Sequence, residues 1–530
     1  MRPEHKEDVC RDVIERVFEA QMQRVEQGEI LLETIINDTI YHEKKRLHAD
    51  PDKKAIKYWK SVNKRFLAAD RKEQEVLLRE LIKIFVDEIV GHFDEKVYKF
   101  STRILPVGLG ILLNTISPRV LISKFPRLPD LRDSLLIQGE IELLRELEKK
   151  GTVILLPTHS SNMDSIIIGF ALYKIGLLPF TYGAGINLFT NWIISYFMNN
   201  LGAYKVDRKK KAALYKDILK EYATVTIEYG YNNLFFPGGT RSRSGAIEDR
   251  LKLGLLGSGL KAYINNLKRN KDQPKIFIVP CTISYELVLE AEGLSRDFLR
   301  REGGSKFIIQ DDEFSRLGRI TNFVSSTMSL DSRIFVNICP AIDLFGNRVD
   351  KEGISYDKRG RKVEIDRYVH VDGEVDHLTQ RDQEYIRQLG GEIVKLYKQY
   401  NIALSTNILA FVIYKILLRD NPKMDFYRLL FTGGEKEYYT VDEVLEPLKV
   451  IMVQLRELEK NNEIFIDERL KEADAEVILN HALKRFRVYH TKPAIIKKNE
   501  KIYINNCNLI YYYNTRLMNY GIELQGNNDE

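Results

Sequence analysis

Between residues 138 and 345, short runs of β-branched and aromatic apolar residues alternate with helix-length stretches, and each run lies close to a Pro or Gly. TVILLPT (152–158), NNLFFPGG (232–239), KIFIVPCTISY (275–285) and RIFVNICPAI (333–342) are of this type, with helical segments such as AALYKDILKEYATVTIEYG (212–230) between them. Buried strands alternating with helices confine the chain to an α/β layer architecture, because each strand needs a helix on its faces to cover it. Everything else in the sequence has to be arranged around that block.

Residues 1–100 read as a helical region, rich in Glu, Lys, Arg and Leu, with apolar residues at helical spacing in VLLRELIKIFVDEIV. The α/β domain is assigned to 101–345, and 346–380 reads as a hairpin-like excursion with D-K-R-G and D-G turns. Residues 381–530 form a mostly helical C-terminal region. Residues 101–135, where basic and apolar residues alternate, read either as a segment lying on a lipid headgroup surface or as a buried connector. No stretch offers the roughly 18 clean apolar residues of a membrane span. The nearest, 104–113, 165–180 and 407–418, are short or interrupted by lysine. The charged N-terminus has no signal-peptide core, so any membrane contact is expected at the surface, without a transmembrane helix. An excess of Lys plus Arg over Asp plus Glu of only 81 to 75 gives no global case for nucleic acid. The four cysteines, Cys10, Cys281, Cys339 and Cys507, form no CxxC and read as reduced core thiols.

Three stretches carry chemistry. In LLPTHSSNMDSIIIG (155–169), His159 and Asp164 stand five positions apart. Within one helix that spacing would put them about 140° apart. If His159 instead closes the loop after a strand and a helix starts near Ser160–Asn162, Asp164 lies in the first turn and reaches back to the imidazole. That is the base-and-orienter half of a triad. With no G-x-S-x-G in the chain, such a base suits attack by a substrate hydroxyl; the alternative is a helix cap with an incidental histidine.

The second stretch is NLFFPGGTRSRSG (233–245), where Gly238 and Gly239 turn the backbone sharply and Thr240, Arg241, Ser242 and Arg243 follow, with Lys252 beyond. Amides with guanidinium forks suit a phosphate; solvated arginines beside a turn are the alternative. The third is LGAYKVDRKKKAALYK (201–216), in which Arg208 directly follows a strand-like end and offers a second phosphate ligand. His370 and His377 flank a D-G turn that explains them without a metal, and IYYYN (510–514) reads as packing.

Taken together, PTHSSNMD, GAYKVDR, FFPGGTRSRSG and IFIVPCTISYE resemble, in order, the four blocks of the glycerolipid acyltransferases: H-x4-D, G-x-x-x-I-[RD]-R, F-P-E-G-T-R-S-R and V-P-x-x-[IV]-x-Y. YELVLE (285–290), RIFVNICPAI and ALSTNILAFVIYKILL are similar to the glycerol-3-phosphate and dihydroxyacetone-phosphate branch. The resemblance covers residues 100–425 well and the C-terminal part weakly. It implies a mixed sheet flanked by helices, His159 as general base with Asp164 as its partner, and Arg208, Arg241 and Arg243 on the acceptor phosphate. It further implies that Gly239, Thr240 and Pro280 occupy substrate-site loops, and that Lys252 corresponds to the lysine of P-K-x-G-L-L.

The implied activity moves a fatty acyl group from acyl-CoA or acyl carrier protein to glycerol 3-phosphate or a close relative, with no metal or cofactor, by a peripheral protein on the cytoplasmic side of a membrane. Acylation of lysophosphatidate, or a non-catalytic lipid-surface protein of the same fold, stand as alternatives. One position departs from the pattern: Gly238 replaces the family's Glu, and Glu248 or Asp249 are the nearby carboxylates that could stand in for it. Main-chain amides near Gly238–Gly239 or at the start of the 160s helix are the candidate oxyanion donors.

Overall fold

The computed structural model describes residues 3–101, 134–189, 192–302, 332–487 and 493–524. The segment 101–135, apart from its ends, and the apolar run 104–113 lie outside the described residues.

A seven-stranded sheet forms the centre, in the order β1-β7-β6-β2-β5-β3-β4. Its strands are β1 (Leu135–Gly139), β2 (Thr152–Pro157), β3 (Thr181–Gly185), β4 (Ala203–Val206), β5 (Asn233–Leu234), β6 (Ile276–Tyr285) and β7 (Ile334–Ile338). Neighbours are parallel except β6 and β7. The sheet is therefore mixed, as the sequence implies. Strands β2, β3, β4, β5 and β6 all run one way, so the loops carrying His159, Arg208 and the 235–245 stretch leave the same edge of the sheet. In open α/β sheets that carboxyl edge is where ligands bind.

Both faces of the sheet are covered, which is why its strands read as unbroken apolar runs. Val153 and Leu155 point into one core, shared with the helix Asp164–Lys174 and the buried helix Ser405–Asp420. Their neighbours Ile154 and Leu156 point into the other, shared with Leu253–Lys268 and Thr379–Gln399. The run 407–418 thus belongs to the core, and among the described residues no helix is long and apolar enough to cross a membrane. His370 and His377 each have a local partner, the Asp366 carbonyl at 2.8 Å and Asn265 at 3.1 Å.

Four N-terminal helices, α1 (Pro3–Glu26), α2 (Leu32–Ala49), α3 (Lys53–Ala68) and α4 (Arg71–Ile89), have no core of their own. Val9, Val13, Ile36, Leu81 and Phe85 pack with Tyr204 of β4 and with Tyr215, Ile218 and Tyr222 of α5 (Ala213–Glu228). Asp70 and Glu73 close a reciprocal capping box at the start of α4. Arg16 clamps the buried Glu228 of α5 through two bonds of 2.9 and 2.8 Å.

Beyond the sheet, residues 346–380 hold short antiparallel pairs, Arg348–Val349 with Ser355–Tyr356 and His370–Val371 with Glu374–Val375. Near the C-terminus the hairpin Ile495–Lys498/Lys501–Ile504 precedes a helix over Cys507–Asn514. The IYYYN run lies in that helix, with Tyr512 and Tyr513 buried. Cys281, Cys339 and Cys507 are buried free thiols, and Cys10 is partly covered.

Candidate active site

Strand β2 ends at Pro157, and the chain turns through Thr158 to His159 before the helix starting at Asp164. Thr158 anchors the turn to β6: its amide donates to the Cys281 carbonyl at 2.9 Å, and its hydroxyl accepts from the Ile283 amide at 2.9 Å. His159 Nδ1 lies 2.8 Å from Asp164 Oδ2. The same oxygen accepts the amides of Ser160 at 2.7 Å and Ser161 at 2.8 Å. The phenol of Tyr285, at the end of β6, donates to Oδ1 at 2.5 Å. The buried carboxylate therefore has charge-assisted bonds on both oxygens.

This geometry fixes the tautomer. Nδ1–H donates to the carboxylate, and Nε2 is left with its lone pair. The ring stacks on Phe236 with centroids 4.2 Å apart and planes 25° from parallel, so rotation about its side-chain bonds is blocked. Of the His159 side chain 11% still meets solvent, enough to admit a substrate atom. Burial lowers the imidazole pKa; the carboxylate of Asp164 opposes that, and the positive charges of Arg241 and Arg208 reinforce it. At neutral pH the ring is held in its base form.

The strap that follows β5 wraps this loop. Gly239 sits at φ +71°, a left-handed conformation that favours glycine, with the Lys252 side chain packed against it. The Ser242 amide donates to the His159 carbonyl at 2.7 Å, and the Lys252 amide donates to the Pro237 carbonyl at 2.6 Å. Thr240 lies in the turn between them. Arg241 reaches the buried Glu290 at 3.2 Å, and Arg243 pairs with Asp297.

Arg208, exposed at the end of β4, has no carboxylate partner among the described residues. Desolvation and the nearby charges of Arg241 and Arg243 lower its pKa. Desolvation also lowers Lys252, with Arg208, Lys211 and Arg243 adding to the effect. Arg208, Arg241, Arg243 and Lys252 thus gather positive charge beside the histidine loop, with Arg241 bonded to Glu290 and Arg243 to Asp297, a cluster suited to an anion.

Glu290 and Tyr285 were not singled out from the sequence as site residues, although both lie in YELVLE. Glu290 also accepts the Ser161 hydroxyl at 2.7 Å and the Asn162 amide at 3.0 Å, so one carboxylate braces both the histidine loop and an arginine. Tyr285 ends both β6 and the V-P-x-x-[IV]-x-Y block, and Glu290 follows it by five positions. Two expectations need correction. Pro280 is not in a loop: it lies buried inside β6, opposite Leu156, next to Cys281, where the strand passes from pairing with β2 to pairing with β7. A residue without an N–H fits that change of partner. The amides at the start of the 160s helix are not free oxyanion donors. Those of Ser160, Ser161, Asn162 and Asp164 are bound to Asp164, Asp164, Glu290 and the Ser161 carbonyl, and that of Met163 to the Ser161 hydroxyl. The Gly239 amide is likewise taken, by the Phe236 carbonyl at 2.9 Å.

Residues 139–284, which carry the histidine loop, Arg208, the strap and most of β6, match the family model described as Acyltransferase. The glycerol-3-phosphate acyltransferase of Aeromonas hydrophila is 31% identical over 205 residues, 38% of this chain and 23% of that one. That of Alteromonas mediterranea is 26% identical over 257 residues, 48% of this chain and 28% of that one.

Residues 139–284 are an acyltransferase domain.

The acyltransferase of Glaesserella parasuis, with the same name, adds 35% identity over 158 residues, 29% of this chain and 19% of that one. The matched parts span less than a third of these relatives' lengths.

Proposed function

We propose that the protein transfers a fatty acyl group from an acyl thioester to a hydroxyl of glycerol 3-phosphate. The observation that carries this reading is a histidine held as a neutral base by Asp164, beside the positive cluster of Arg208, Arg241, Arg243 and Lys252. The acceptor's phosphate sits on Arg208, Arg241 and Arg243, with Lys252 at its edge, which brings a hydroxyl to His159 Nε2. As that oxygen attacks the thioester carbon, its proton passes to Nε2. The tetrahedral intermediate then collapses, the C–S bond breaks, and the departing thiolate takes the proton from the imidazolium. No acyl-enzyme forms. The amides of Gly238 and Thr240 have no protein acceptor among the described residues and are the nearest oxyanion donors.

The acceptor is glycerol 3-phosphate in preference to lysophosphatidate because the curated relatives carry that name. The donor is acyl-CoA or acyl carrier protein, and the reaction runs on a cytoplasmic membrane surface without a spanning helix. The test is acyl transfer by purified protein on phospholipid vesicles, with palmitoyl-CoA and then the carrier-protein thioester. Glycerol 3-phosphate, dihydroxyacetone phosphate and lysophosphatidate are supplied separately. His159→Ala is expected to lower kcat by at least the ~10²–10⁴-fold that a general base contributes, while its thermal melt stays that of the parent. Undiminished turnover in that variant rules the mechanism out.

A further inference from the structure

Gly238 leaves a gap that another residue fills. A Cβ placed on Gly238 would lie 2.9 Å from Glu248 Cγ, closer than real contacts allow, and 3.3 Å from its Oε1. Glu248 comes ten positions later, after the strap has turned back on itself. From there its Oε1 accepts the main-chain N–H of His159 at 2.6 Å.

The histidine backbone is thus held on both sides by one strap, its N–H by Glu248 and its carbonyl by the Ser242 amide at 2.7 Å. The strap is itself pinned. The Thr515 hydroxyl donates to the Ser244 carbonyl at 2.7 Å, and the Ser242 hydroxyl donates to the Ala246 carbonyl at 2.7 Å. Gly245, at φ +87°, lies so close to the Tyr512 carbonyl that a Cβ would come 2.1 Å from it. Asp164 and Tyr397 also face the Glu248 carboxyl, as does Arg516. Burial raises its pKa to about 7, while the bonds from the amides of His159 and of Glu248 itself pull the other way. A carboxyl that costly to bury is retained for what it holds.

We propose that Glu248 is the positioning residue of the base. Its carboxyl enters the space left by Gly238 and fixes the His159 main chain, so that the imidazole keeps its bond to Asp164 as it meets the acceptor. Where the resembled motif has Glu, position 238 carries no side chain, and the Glu248 carboxylate lies against it beside the histidine loop. The inference rests on the acyltransferase reading for its kinetic consequence, but the geometry at His159 can be read without turnover.

The experiment uses the full-length protein with four variants: Glu248→Ala, Glu248→Gln, Gly238→Glu and the exchange Gly238→Glu/Glu248→Gly. Transfer to glycerol 3-phosphate is measured on vesicles, and the imidazole of His159 is followed by NMR in ¹⁵N-histidine-labelled protein, assigned with His159→Ala. Glu248→Ala is expected to lower kcat tenfold or more with little change in acceptor KM, and to shift the His159 Nδ1 resonance. Glu248→Gln, which keeps an acceptor oxygen, recovers most of that loss. Gly238→Glu collides with Glu248 and loses activity. The exchange variant restores activity, since a glutamate side chain at 238 spans the distance to the same acceptor position.

Wild-type kcat and an unmoved His159 resonance in Glu248→Ala would overturn the proposal, as would an exchange variant that folds but is no better than Gly238→Glu. If Glu248→Ala does not fold, Glu248→Met, of similar length but with no oxygen, takes its place. Should the wild-type protein transfer no acyl group at all, the acyltransferase reading fails alone, and the His159 resonance still decides the role of Glu248.

Discussion

At the scale of single residues, the site depends on what surrounds His159. Desolvation is the largest influence on its imidazole, the carboxylate of Asp164 works against it, and Arg241 and Arg208 add to it. In the free protein the ring therefore titrates below the ordinary histidine value of about 6.5. The sign is favourable to a base: lowering its pKa keeps the neutral form to lower pH. Removing a positive neighbour must move the value back up. Arg208→Gln is expected to raise the His159 pKa, read by ¹⁵N NMR titration without substrate, and an unchanged or lower value would contradict the placement of Arg208. The pair His159 and Asp164 was legible in the sequence because small polar residues follow a strand-like run, although the helix starts at Asp164 with Met163 at its N-cap and not at Ser160–Asn162. Tyr285 and Glu290 were not, because each reaches the histidine loop across more than 120 residues of chain. No local pattern encodes that contact.

At the scale of elements, the basic run RKKK makes the point. In the sequence it looks like a solvated helix start. In the structure, Lys210 is buried, with its amine 2.7 Å from Glu88 and 3.4 Å from Glu43, over the ring of Phe85 at 4.6 Å. Lys209 pairs with Asp50 at 2.7 Å, and the Ala213 amide reaches Asp38 at 3.3 Å. Helices α2 and α4, with the turn after α2, therefore hold the segment on which Arg208 stands, which gives the N-terminal helices a part in placing a phosphate ligand. Lys210→Met keeps the stem but removes the charge. It is expected to raise KM for glycerol 3-phosphate about tenfold, a change worth ~1.4 kcal/mol, with kcat nearly unchanged in the same vesicle assay. Equal effects on kcat and KM would mean that the helices act on the whole site and not on Arg208. Strands were legible where both faces are buried, as in TVILLPT and KIFIVPCTISY. β1 and β3 were not read: LLIQG is short and TYGAG carries two glycines, so pairing with neighbours from distant parts of the chain forms them.

At the scale of the whole molecule, the end of β6 joins the dyad to the C-terminal helices. Tyr285 donates to Asp164, and the next residue, Glu286, is fully buried among cations. Its Oε2 lies 2.8 Å from Arg485 Nε and accepts the Arg333 amide at 2.8 Å, its Oε1 accepts from Arg469 at 3.0 Å, and its carbonyl accepts the Thr406 hydroxyl at 2.7 Å. Burial still raises the Glu286 carboxyl above its ordinary value, despite the arginines that pull it down. Desolvation therefore outweighs attraction at this site, the condition under which a buried pair contributes little net stability yet is costly to break. Arg485→Met leaves that carboxylate short of a partner and is expected to cost about 3–5 kcal/mol in urea unfolding. Arg485→Met with Glu286→Leu should cost much less than the sum of the two single changes, because Arg469 keeps its bond to Asp467 at 2.8 Å. Additive losses would show that the two side chains act independently. The alternative carries a functional consequence: because Glu286 adjoins Tyr285, Arg485→Met should also lower kcat, joining a helix that touches no substrate to the base that does.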